Sequence, residues 1–217
     1  MRRSVIAAFA AALVSALLAG CATADWSEPH PAPTAVGEPA VGFAPGTSPS
    51  PEATVVPAPG SWGEVHPSPG MRVALISAGD DTPTTALVAA VTAWARTEHV
   101  ELRAVKANEH PVDGIVEAMS LHPDLIVSVG NELIDPLATV TANHLDQQFL
   151  IVGAEIAEPT VNVTAVDWAG ASFRGEGLGM SSRYDARSFT ADRCGSGIRA
   201  GVAAVLTGMT GVVLWLD

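Results

Sequence analysis

The chain has 217 residues, 16% of them charged, and a formal net charge of −12 at pH 7. Twenty-three acidic residues stand against eleven basic ones, and the only lysine is Lys106. A chain this acidic is repelled by DNA, RNA and anionic lipid headgroups, so nucleic acid is excluded as a partner.

The chain opens with Arg2 and Arg3, followed by an uncharged, alanine-rich run over 5–18. The run falls short of the ~20 residues that a membrane-spanning helix needs, and it fits a secretory signal. Its end, "LLAGC", resembles a bacterial lipobox. That resemblance implies a signal peptide over 1–20, cleavage before Cys21, and a diacylglycerol and palmitate-type anchor on the Cys21 sulfur. The expected location is therefore the outer face of a bacterial cell membrane, with attachment through lipid alone. Several acyl chains hold a protein stably where one is marginal.

Residues 22–70 hold 11 of the 16 prolines and neither lysine nor arginine. "PHPAPTAVGEP" and "GTSPSPEATVVPAPG" have no helical or strand period. The expectation is a disordered, Pro-rich tether over 21–70, extended at about 3.1 Å per residue where it is polyproline-like. Trp62 and Val65 are its candidates for packing onto the folded part.

From Met71 strands and helices alternate. "MRVALIS" (71–77) reads as a buried strand, and Thr82 or Asp81 caps the helix that follows, with Pro83 in its first turn. "VELRAVKA" (100–107) is a second strand, and Pro111 opens a second helix. "DLIVSVG" (124–130) is the third strand, and a third helix starts at Asp135-Pro136 or already includes Leu133. "QQFLIVGAE" (147–155) and "VNVTAVDW" (161–168) are strands four and five. Residues 169–193, rich in Gly, Ser and Arg, break the rhythm. A helix over about 192–206 and an apolar strand over 212–216 complete the chain. Strand–helix units of about 25 residues imply parallel strands with right-handed crossovers. The expected fold is therefore α/β: one three-layer flavodoxin-like domain over 71–217 with strand order 2-1-3-4-5. The terminal strand is expected as a sixth, at the edge beside strand five. Left unpaired, it would be an aggregation liability.

"HPDLIVSVGNELIDPLATVTANHLDQQFLIVGAE" followed by "VNVTAVDW", with "IRAGVAAVLTGMTGVVLWLD", resembles the basic membrane lipoprotein (BMP) family of ABC-transporter substrate-binding proteins. The resemblance covers about 71–217, interrupted near 169–193, and implies one lobe of a type I periplasmic-binding fold. It implies a small, nucleoside-like solute and an ABC permease, or a partner protein that supplies a second lobe. The loop "SAGDDT" keeps an acidic pair but lacks the family's Phe-Asn, so of the family's nucleoside contacts only Asp80 or Asp81 carries over.

In an open parallel sheet, ligands bind beyond the carboxyl ends of the strands, where strand order reverses. That rim gathers Gly79, Asp80, Asp81, Gly130, Asn131, Gly153, Glu155, Asp167 and Trp168. Asp80, Asp81, Gly130, Asn131, Glu155, Asp167 and Trp168 are the candidate ligand-binding residues. Such a rim suits a cation, a hydroxylated solute or an uncharged base stacked on Trp168, and it does not suit a phosphate. Trp168 reads equally as core edge and as stacking surface, whereas Asp80 and Asp81 read first as a solvated turn and helix cap and second as ligand contacts. "FRGEGLG" (173–179) is a weak match to an anion-binding backbone nest aided by Arg174. Cys194 reads as a small buried residue without a disulfide partner. No nucleophile–base or paired-carboxylate arrangement stands out, and no cofactor or metal is expected. The sequence points to a non-enzymatic solute-binding lipoprotein; the alternative is a lipid-tethered sensor or protein-interaction domain with no transport role.

Overall fold

The computed structural model describes residues 26–217. Its centre is a seven-stranded, all-parallel sheet. The strands after Met71 are β4 (Arg72–Ser77), β5 (Glu101–Lys106), β6 (Leu125–Val129), β7 (Phe149–Val152), β8 (Val163–Trp168) and β9 (Val213–Leu216). Three short strands precede them: β1 (Ala35–Val36), β2 (Thr54–Val55) and β3 (His66–Pro67). The sheet runs β5-β4-β6-β7-β8-β9-β2. Counted from β4, this is the expected 2-1-3-4-5 order with the terminal strand sixth.

Strands β4, β6, β7 and β8 are buried along their whole length. Parallel sheets need both faces covered, which is why these strands read as unbroken apolar runs. On one face lie α1 (Thr82–Thr97) and α4 (Ala191–Leu206), packed over Val73, Leu75, Val127 and Val166. On the other lie α2 (Pro111–Ser120) and α3 (Ile134–Thr141), over Ile76, Ile126, Phe149 and Ile151. The cap of α1 is Asp81, whose carboxylate accepts from the Thr84 N–H at 3.0 Å. Thr190, rather than Asp192, caps α4. A 3-10 turn over Asn131–Leu133 leads into α3, so that helical structure starts ahead of Asp135 and includes Leu133.

The structure revises the reading of residues 26–70 as a free tether. Trp26, Phe43, Val55, Trp62 and Val65 are all buried. Phe43, Val55, Trp62 and Val65 belong to the core on the α1–α4 face. Prolines stiffen the strap and lower the entropy lost on docking it, and isolated large side chains hold it down. Its first residues lie at the end of the sheet where the strands begin. There Arg72 donates to the carbonyls of Trp26 and Glu28 at 2.9 and 3.0 Å. The Trp26 indole donates to Glu101 at 2.6 Å, and the Arg103 guanidinium stacks 4.2 Å from its ring. His30 meets Asp124 at 3.1 Å.

The same strap corrects the expected edge. β2 pairs in parallel with β9, Thr54 opposite Val213 and Val55 opposite Leu214. The apolar terminal strand is thereby an inner strand, and the sheet ends on a two-residue strand from a proline-rich segment. Short, proline-flanked edges resist further pairing. The expected signal peptide and Cys21 lie outside the described residues.

Phe43 is 1% exposed. Replacing it with alanine should therefore destabilise the protein by about 3–5 kcal/mol, as for other buried aromatic residues. Urea unfolding followed by tryptophan fluorescence measures this. A free tether would give a change near zero.

Candidate functional site

Strand order reverses between β4 and β6, and the loops that leave these two strands open a crevice. Gly130 follows β6 with φ of +107°, and a Cβ there would lie 2.1 Å from the Ala78 carbonyl oxygen. Only glycine lets the two strand ends approach so closely. The crevice is a cleft of about 40 Å³ lined by Asp81, Thr84, Leu87, Gly130, Asn131, Gly153, Tyr184 and Phe189. The segment between β8 and α4, which the sequence left without a period, folds back over the carboxyl ends of the strands. Phe189 rests on Gly153, where a Cβ would meet its ring at 2.6 Å, and the Tyr184 and Phe189 rings lie 6.3 Å apart.

The predicted residues form two groups, with Asp80 and Trp168 in neither. Asp81, Gly130 and Asn131 line the cleft. Asp80 stays outside it, exposed and 3.3 Å from Lys106. Pairs of this kind contribute little. Of the two readings open for Trp168, core edge and stacking surface, the structure shows the core one. It is 0% exposed, meets Phe189 edge-on at 5.2 Å, and donates its indole N–H to Ser188 at 3.1 Å. The returning segment covers the ring that would otherwise face the rim, and Tyr184, 40% exposed, is the aromatic that reaches the surface there.

Glu155 and Asp167 form the second group, buried beneath the same segment. Asp167 Oδ1 accepts from the N–H groups of Trp168 (2.8 Å) and Ser172 (2.9 Å), whereas Oδ2 has no hydrogen-bond partner. Burial pushes the Asp167 carboxyl up from the usual 3.8 to about 6, against the pull of those two N–H bonds; the Glu155 charge adds to the rise and Arg174 opposes it. Glu155 is also raised, mainly by burial, with Arg174 and Ser181 pulling the other way. The Arg174 Nε lies 3.1 Å from Glu155 Oε1, and the Ser181 hydroxyl donates to the same oxygen at 3.1 Å. The Arg174 Nε is at ion-pair distance without hydrogen-bond alignment.

The "FRGEGLG" stretch does meet an anion, and the anion is the chain's own. The Glu176 N–H donates to Asp135 at 3.2 Å. Arg174 turns to Glu155 instead of supporting a phosphate nest. Cys194 is fully buried, and burial pushes its thiol up to about 11, which suits a core residue and not a nucleophile. Among the described residues no cluster of His, Cys, Asp and Glu could hold a metal ion. Sequence reasoning missed Tyr184, Phe189 and Ser181. Aromatic residues in a Gly/Ser/Arg-rich segment were the available signal.

No family model matches the chain, and no curated protein matches it significantly. Solved structures with related shape include a solute-binding protein of an ABC transporter system from Aeropyrum pernix K1, 18% identical, with a TM-score of 0.39 over 46% of this chain and 29% of that one. A candidate lipoprotein fragment from Peptoclostridium difficile 630 is 18% identical, with a TM-score of 0.46 over 64% of this chain and 99% of that one. An ABC transporter system solute-binding protein from Conexibacter woesei DSM 14684 is 14% identical, with a TM-score of 0.38 over 46% and 36%. The chain thus spans under a third of the Aeropyrum protein. At these scores the likenesses assign neither family nor function.

Asp167 gives a pH signature. Its folded-state value lies above its unfolded value, so its favourable contribution is complete below about pH 4 and is lost as pH rises through 6. The Asp167→Asn variant should be more stable than the parent at pH 7.5, by up to about 3 kcal/mol. The difference should vanish near pH 4. Urea unfolding of both proteins across this range measures it.

Proposed function

We propose that this chain is a lipid-anchored solute-binding lobe on the outer face of a bacterial membrane. It serves an ABC permease, or joins a partner protein that supplies a second lobe. The observation that carries the reading is the convergence of Asp81, Gly130, Asn131, Gly153 and Tyr184 on one cleft at the topological switch point. Hydrogen-bonding groups beside a partly exposed aromatic ring suit a small polar solute. The BMP resemblance makes that solute nucleoside-like.

A cleft of about 40 Å³ has room for little more than a water molecule. Solute entry therefore requires Phe189 and Tyr184 to swing out, a loop motion of the kind that closes many binding sites. The anchor fits this arrangement. Cys21 stands five residues before Trp26, a reach of at most about 18 Å. Trp26 docks where the strands begin, so a lipid on Cys21 holds that end at the bilayer and turns the rim outward.

The closed rim also favours a second reading, a tethered sensor or interaction domain without transport. Calorimetric titration of the parent and of Phe189→Ala with nucleosides, sugars and small amines separates the two. The solute-binding reading predicts that one class binds, more tightly to the Phe189→Ala variant, and that adding Asp81→Ala weakens it about tenfold or more, as loss of a charged hydrogen bond does. Silence from every class with a folded variant favours the interaction domain.

A further inference from the structure

Asp167 is 0% exposed and Glu155 is 6% exposed, and the Glu155 charge acts on the Asp167 carboxyl, so two carboxylates share a buried part of the rim. Buried carboxylates are tolerated when paired and fully hydrogen-bonded. Here the accounts do not close. Asp167 Oδ2 accepts nothing, and the nearby charges that act on this carboxyl are Glu155 and Arg174. The Arg174 Nε, itself buried, is 3.1 Å from Glu155 but not aligned to donate to it. One unmet acceptor and one unaligned donor therefore share the same three-residue cluster. Arg174 comes from the segment that covers the rim, and its side chain is 36% exposed, which leaves it a path outward.

An acceptor pair served incompletely by a tethered guanidinium has the chemistry of a cation site holding a built-in substitute. A free planar cation can rotate to align with these acceptors, which the tethered Arg174 Nε does not do. We propose that Glu155 and Asp167 form a subsite for the guanidinium or amine group of a solute, with Arg174 as its occupant in the closed state. This rests on the solute-binding reading and gives the solute a positive charge. Ser181 orients Glu155 through its 3.1 Å hydrogen bond, and the N–H groups of Trp168 and Ser172 hold the other carboxylate in place. An arginine on a short loop competes at an effective concentration on the order of millimolar. The apparent affinity of the closed protein for any cation is reduced accordingly.

The test uses the full chain as parent, Arg174→Gln, and Arg174→Gln combined with Asp167→Asn. Each is titrated with methylguanidine, putrescine, uridine and ribose by calorimetry, and thermal unfolding is followed in parallel. Removing the competitor should tighten methylguanidine or putrescine binding about tenfold or more, and adding Asp167→Asn should abolish the gain. If Arg174→Gln folds poorly, methylguanidine should raise its melting temperature more than that of the parent. Failure of that rescue overturns the proposal. If Arg174→Gln binds uridine or ribose but neither cation, the cation subsite is wrong and the solute-binding reading stands. If it binds none of the four, both fall.

Discussion

The upper half of the molecule is organised around a carboxylate that has no access to water. Asp167 sits at the end of β8, fully buried, and its ionised form is costly there. The chain turns back at once to supply what it can, and the N–H groups of Trp168 and Ser172 both donate to Oδ1. That local turn directs the following residues over the strand ends instead of away from them. Ser182 accepts from the Gly170 N–H and contacts the Ser172 hydroxyl at 2.5 Å, which ties the returning segment down. Arg174, Tyr184 and Phe189 then arrive over the rim as consequences of this path.

The sheet's other open boundary is closed in the same way. β9 would be an apolar edge, and the proline-rich strap covers it with β2. In both places an irregular segment completes what regular elements leave open. Neither segment could hold its position by backbone hydrogen bonding alone. Each depends on widely spaced large side chains, Trp26, Phe43 and Trp62 in the strap and Phe189 over the rim. The candidate rim and the fold are therefore coupled, because Phe189, which closes the cleft, also completes the core around Trp168.

The strands and helices after Met71 were readable because parallel strands buried on both faces leave continuous apolar runs, and capping residues such as Asp81 mark helix starts. That Asp81, Gly130 and Asn131 gather at one cleft followed from the rule that loops at the strand ends meet where strand order reverses. Beyond Trp62 and Val65, the strap was not readable as ordered, because its other anchors lie many residues apart with no period. Trp168 was assigned to the rim because its exposure depends on where residues 182–189 go, and nothing in "VDW" specifies that. The Arg174–Glu155 pair was hidden for the same reason. A long-range ion pair between a loop and a strand end has no sequence spacing to betray it.

The central claim is that the chain seals Asp167, with Glu155, in a buried part of the rim under its own arginine. The most direct measurement is the titration of the Asp167 side-chain carboxyl carbon by NMR. The account predicts a midpoint near 6. A midpoint at the ordinary aspartate value of about 3.9 would mean that water reaches this carboxylate and that the rim is open.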